Sequence, residues 1–545
     1  MSTSTVAAGD PKHFTRTEVN AATNAEQKGS GPFVEEPNRN FSLLSIIGLA
    51  YAILNSWTAM AASLSVALPS GGPTAVIWGI VPSTIGNLAM ALSMAEIWGQ
   101  FHWSAILSPP EYAPVVSWIT GWFCVAGWWA LTATAGSLAG TLITGMISLN
   151  NPDYEVQRYQ IFLIYVGFTL GAMVLNIWGV RSLPLINKAA IMWSLAGAAT
   201  ICIVCLACAS GNYQSGSFVF GKYINETGWN GGVAWILGLL QSSFGLTAYD
   251  AVSHMVGEMP SPHINAPKAM VLAVLIGSSS SFVFLVVLLF CITDVDGVIS
   301  SSAGALLGAI YQATGSVAGS LCLQVFPVIS MGFAAQGILT GSSRMTHAFA
   351  RDGGIPFSPF FARVHPVTGV PVNAVYLSTV LVIIFGLIYL GSSSALNAIL
   401  SSSVVFLNIS YSIPVALLLF RGRHLLRPAS FPEPTMSLGN FWGPVCNIVG
   451  LCFTALTTVF FLFPPELPVT GNNMNYAVVV FGIIALVATF TWIFQGKKHF
   501  QGPRDLGALL ELARSELTVP EQEIDEERIV VEAAGVNEKL ADKEQ

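Results

Sequence analysis

Asp250 lies within an apolar stretch, Phe244-Gly245-Leu246-Thr247-Ala248-Tyr249-Asp250, where a carboxylate is costly unless it faces a cavity, a pathway or a partner. A carboxylate so placed can hold the cationic end of a solute, or exchange a proton as that solute binds and leaves. Gly245 and Thr247 weaken a helix at this point, and an aspartate can cap a helix that restarts after a break. Cap and chemistry are compatible, since a cap inside a broken transporter helix also lines the site. Glu96 and Glu258 stand near the ends of their apolar stretches. Solvation at the membrane interface is the leading expectation for both, with proton coupling as the alternative. His254, the lone histidine at membrane depth, is expected to hydrogen-bond within its helix rather than catalyse.

A second interruption, Asn55-Ser56-Trp57-Thr58, splits the run from Ala50 to Ala62. Ser and Thr can bond back to their own helix, so residue types alone leave packing and binding both open. Their place among the elements is what favours binding.

Only 9% of the 545 residues are charged and 53% are hydrophobic, against about 25% charged in a soluble chain. The apolar surface must therefore face lipid, and the fold class is an all-α polytopic membrane protein. Stretches long enough to span a bilayer, about 20 residues each, fall near 41–67, 74–97, 114–145, 159–179, 185–209 and 232–257. Six more follow near 268–292, 317–345, 371–391, 394–420, 442–464 and 475–495. About twelve transmembrane helices thus occupy residues 41–500, between an N-terminal tail (1–40) and an acidic C-terminal tail (501–545). The interrupted first and sixth spans hold corresponding places in two sets of five, which is the sequence pointer to a midplane site between inverted repeats.

With the N-terminus inside the cell, all but two of the 22 basic residues fall on the inner side, and only Arg158 and Lys222 outside. The positive-inside rule therefore places both termini in the cytoplasm. Asn225-Glu226-Thr227, a glycosylation sequon, then lies in the longest outer loop. The net charge of -7 belongs to the C-terminal tail, a solvated regulatory segment where cytoplasmic trafficking factors are a possible partner. No basic cluster offers a nucleic-acid surface. All eight cysteines lie in apolar segments, and the Cys202, Cys205, Cys208 run lacks a nearby His or carboxylate, so packing rather than metal is expected. No phosphate-binding Gly-x-x-x-x-Gly-Lys-Ser/Thr and no His-Glu-x-x-His occurs, so neither ATP-driven pumping nor zinc hydrolysis is indicated, and no cofactor is expected.

The stretch Gly341-Ser342-Ser343-Arg344-Met345-Thr346-His347-Ala348-Phe349-Ala350-Arg351-Asp352-Gly353-Gly354-Ile355-Pro356 resembles the inner signature of the amino acid/polyamine/organocation superfamily. Ser70-Gly71-Gly72-Pro73, and Tyr249-Asp250-Ala251-Val252-Ser253-His254-Met255 with Asn265-Ala266-Pro267-Lys268-Ala269, are similar to its fungal amino acid/choline permeases. The resemblance covers about residues 40 to 500 and implies a leucine-transporter-like 5+5 inverted repeat with two peripheral helices. It further implies secondary active uptake, in symport with protons, of a small nitrogenous solute, held at the breaks by Asn55, Ser56, Trp57, Thr58, Phe244, Gly245, Thr247, Tyr249 and Asp250. Two positions depart from the family. The Gly-Ser/Thr-Gly frequent at the first break is here Trp57-Thr58-Ala59, and the lysine that some relatives use for proton coupling falls on Ser194. Lys188 instead reads as a snorkelling residue at the inner edge. Asp250, with Glu96 and Glu258, is left as the proton-coupling candidate.

Two substrates remain open. An amino acid such as 4-aminobutyrate would set its carboxylate on the free amides of the restarted first helix near Thr58 to Met60, and its amine on Asp250. Choline would rest on aromatic faces, for which Trp57, Phe244 and Tyr249 are available at about 0.5–2 kcal/mol each. The amino acid is the favoured reading. A transport-derived nutrient receptor would keep the same pocket.

Overall fold

A computed structural model describes residues 43–97, 100–258, 262–392, 394–426, 436–500 and 502. The expectations for the two tails, including trafficking factors, lie outside these residues.

Among the described residues the chain is helical, with one isolated antiparallel bridge between Ser70 and Asn225. Eleven helices among the described residues are long and apolar enough to cross a membrane. They run Gly72–Ile97, Ala113–Asn150, Arg158–Trp178, Val180–Cys208, Gly231–His254, Asn265–Cys291, Val317–Arg351, Val372–Gly391, Ala395–Arg421, Gly439–Phe460 and Ala477–His499. The first span precedes them in three pieces, Leu43–Leu54, Ser56–Ala62 and Leu64–Ala67. These are the twelve spans read from the sequence, and we number them in that order. The third and eighth overrun their expected ends by about a turn, because no proline or glycine lies between Gly145 and Asn150 or between Met345 and Arg351.

Burial sorts centre from rim. In its most apolar window the third span is 78% buried and the twelfth 17%, so the third is a central post and the twelfth faces lipid. Small residues let the post be approached closely. A Cβ on Gly127 would lie 2.8 Å from the Leu407 side chain of the tenth span, a contact only glycine permits.

Both expected breaks are present. Asn55 adopts φ 43°, ψ 42° between the first two helical pieces, a left-handed conformation that Asn tolerates better than other non-glycine residues. Its amide still donates to Tyr51 O at 2.7 Å, and its carbonyl accepts from Ala59 N at 2.8 Å. The interruption is thus a single residue, shorter than the four-residue one read from the sequence. The sixth span stops at Gly245, passes through Ala248 at φ 74°, and resumes as a 3₁₀ helix over Tyr249–Glu258. An alanine held left-handed costs about 1–2 kcal/mol, strain of the kind that marks functional sites.

Candidate functional site

The two breaks face a cavity of about 10 Å³, room for about one water. Asn55 lines it from the first span, Thr134 from the third, Phe244 and Thr247 from the sixth, and Met331 and Ile338 from the eighth. Asn55 is 3% exposed, and its Nδ2 has no hydrogen-bond partner. Ser56 Oγ, Thr58 Oγ1 and Tyr249 OH are likewise buried and unpartnered. Ser56 Oγ faces Gly277 of the seventh span, where a Cβ would collide with it. Gly245 lets Met60 pack on the sixth span, since a Cβ there would come within 2.5 Å of Met60 Cγ.

Of the nine binding residues read from the sequence, Asn55, Phe244 and Thr247 line the cavity, and Ser56, Trp57, Thr58, Gly245, Tyr249 and Asp250 do not. Trp57 is turned away. Its indole N–H donates to Ser194 Oγ at 2.7 Å, and its ring lies 4.7 Å from that of Phe284. The aromatic cage expected for a quaternary amine therefore loses Trp57 to the fifth and seventh spans. Ser194, the position where some relatives carry a lysine, is thereby joined directly to the first-span break. The carboxylate cradle is also displaced. Because the break is Asn55 alone, the amides ahead of the first bond of the restarted helix are those of Ser56, Trp57 and Thr58 rather than Thr58 to Met60.

Asp250 is fully buried, at the second position of the 3₁₀ helix rather than ahead of it. Tyr411 of the tenth span donates its hydroxyl to Asp250 Oδ1, and His254 Nε2 lies 2.9 Å from Oδ2. His254 thus bonds within its own helix, as expected, with its ring set edgewise on Trp128 at 5.1 Å. The Tyr249 ring lies tilted beside that of Tyr411, 5.0 Å between centroids. The ligand atoms of Cys124, Asp250 and His254 lie within 4.8 Å of one another, a convergence of metal-capable groups that the sequence reading lacked. Cys202 and Cys205 pack along the fifth span, and Cys208 is exposed.

Glu96 is not the solvated interfacial acid expected. It is 2% exposed, and Arg423, 327 residues away, donates to Oε1, as does the Leu438 amide at 2.7 Å. The side chain of Glu258 lies outside the described residues. Lys188 is exposed, as its snorkelling role requires. Asn225 is exposed in its loop, and its Oδ1 accepts the Thr227 hydroxyl at 2.7 Å.

Tyr411, Trp128 and Thr134 were missed. The polar run Ser401-Ser402-Ser403 to Asn408, Ser410 and Tyr411 in an otherwise apolar span was the signal for the first. Nothing distinguished Trp128 among its neighbours.

Residues 41–485 match the amino acid permease family. A choline transporter of Saccharomyces cerevisiae is 35% identical over 85% of this chain and 82% of its own length. The amino-acid permease BAT1 of Arabidopsis thaliana is 29% identical over 86% and 94%. Among solved structures, MhsT in complex with L-phenylalanine aligns over 78% of this chain and 98% of its own, with TM-score 0.54 and 13% identity. That likeness shows the leucine-transporter-like fold with its inverted repeat.

Proposed function

The chain belongs to the amino acid permease family, and on that premise we propose that it takes up an amino acid or 4-aminobutyrate through the cavity between the first and sixth spans. It is a multi-pass membrane transporter of small solutes, not an enzyme. The observation that carries the choice of site is Asn55. A left-handed backbone opens the first span there, and the side-chain amide meets the cavity with a donor that nothing accepts. A buried donor left unpaired costs about 1–3 kcal/mol, and a solute carboxylate would satisfy it. The amides of Ser56, Trp57 and Thr58 supply further donors once the cavity widens to admit a solute.

Coupling to protons falls to Asp250. The carboxylate is held between Tyr411 and His254 immediately after the second break, so a change in its protonation would alter contacts to the tenth span and within the sixth. Glu96, paired to Arg423, is the weaker candidate. The orientation follows the basic residues, with both termini cytoplasmic at the plasma membrane and Asn225 outside. A vestibule of about 480 Å³ lined by Ser70, Glu226, Glu466 and Asn473 then opens outward.

Likeness to the yeast choline transporter favours a second reading, a quaternary amine resting on Phe244 and the Tyr249–Tyr411 pair. Flux of labelled solute in transporter-null cells tests the proposal. Saturable accumulation supports transport, and surface expression with signalling but no flux would make the chain a nutrient receptor.

A further inference from the structure

A second cavity, about 690 Å³, lies beside the Glu96–Arg423 pair and shares no lining residue with the cavity at the breaks. Glu96 sits near the end of the second span, Arg423 just after the tenth, and Asn447 within the eleventh. The pairing is one-sided. Arg423 Nη2 donates to Glu96 Oε1, while Glu96 Oε2 and Arg423 Nη1 are buried without a partner. Asn447 is fully buried, and neither its Nδ2 nor its Oδ1 is satisfied. Guanidinium and carboxylate commonly engage through two parallel bonds, and buried polar atoms normally find partners. Four unpaired atoms on three residues that line one cavity, each covered as the side chains stand, call for an occupant that a small side-chain shift would admit. Gly443 supports the arrangement, since a Cβ there would run into the Arg423 guanidinium.

We infer that this cavity binds a small zwitterion, its ammonium on Glu96 Oε2 and its anionic group on Arg423 Nη1, with Asn447 donating to one end and accepting from the other. The volume is within the roughly 300–1,000 Å³ of small-molecule pockets. The inference does not rest on the transport reading. Free amino acids and phosphoethanolamine lipid headgroups share this chemistry.

Equilibrium dialysis of the purified full-length chain against labelled glycine, and separately against labelled glycerophosphoethanolamine, counts the sites. Asn447→Leu removes both unpaired amide atoms at similar size and is expected to bind one equivalent less than wild type of at least one probe. Gly443→Ala, which displaces Arg423, is expected to lose the same equivalent. Loss confined to glycine identifies a free amino acid as occupant, and loss confined to glycerophosphoethanolamine identifies a lipid headgroup. Equal stoichiometry in wild type and both variants for both probes, or no binding by wild type, overturns the site and leaves the cavity to water. Asn447→Leu is expected to unfold at no lower temperature than wild type, which separates lost binding from lost fold.

Discussion

Asn55→Gly separates the two things that Asn55 does. Its backbone, at φ 43° and ψ 42°, is in a region that costs most residues about 1–2 kcal/mol and glycine almost nothing. Its side-chain Nδ2 is buried and unpaired, at a further cost of about 1–3 kcal/mol. Glycine relieves both and gives back about 0.5–1 kcal/mol through the greater freedom of the unfolded chain. The substrate-free variant is therefore expected to unfold at or above the wild-type temperature in detergent. Uptake should move the other way. A hydrogen bond from Nδ2 to a solute carboxylate contributes about 1.5–3 kcal/mol, so KM should rise about 10- to 150-fold. Asn55→Ala is the control, with the same rise in KM but a Cβ kept in the left-handed region, and so, after the chain freedom that glycine gives back, up to about 1.5 kcal/mol less stability than the glycine variant. Unchanged KM in Asn55→Gly, together with a lower unfolding temperature, would refute the claim that this amide serves the substrate.

Three further outcomes follow from the same geometry. Trp57→Phe keeps the contact with Phe284 and loses the bond to Ser194, so stability should fall by about 1–3 kcal/mol with KM unchanged. A large rise in KM with stability intact would return Trp57 to the substrate. Asp250→Asn keeps an acceptor for Tyr411 but cannot exchange a proton. It should reach the membrane and lose both concentrative uptake and its pH dependence, whereas wild-type accumulation with wild-type pH dependence would move the proton site to Glu96. Protease applied to intact cells should spare epitopes at both termini, and an engineered Asn225→Gln should lose any glycan without changing uptake. Cleavage of both epitopes without lysis would invert the orientation.

Spans and breaks were legible in the sequence because each has a local cause. Twenty apolar residues must cross, and Asn55 in the first span, or Gly245 and Thr247 in the sixth, weaken a regular helix where they stand. The facing of side chains was not legible. Lipid and protein interior are equally apolar, so a span such as the first has no polar contrast to show that Trp57 turns toward Ser194 while Asn55 turns to the cavity. Partners distant in the chain were hidden for the same reason. Glu96 read as an interfacial acid because Arg423 is 327 residues away, and Asp250 read as a cap and proton site with no partner in view because Tyr411 is 161 away. Each acid's surroundings come from a span that only the fold brings to it.

Competition of labelled 4-aminobutyrate uptake in transporter-null cells tests most directly the claim that a carboxylate-bearing solute binds between the first and sixth spans. Saturable accumulation should be reduced by excess unlabelled 4-aminobutyrate and neutral amino acids, and Asn55→Gly should weaken it at subsaturating concentration. Inhibition by choline alone, or uptake indifferent to Asn55→Gly, would contradict the account.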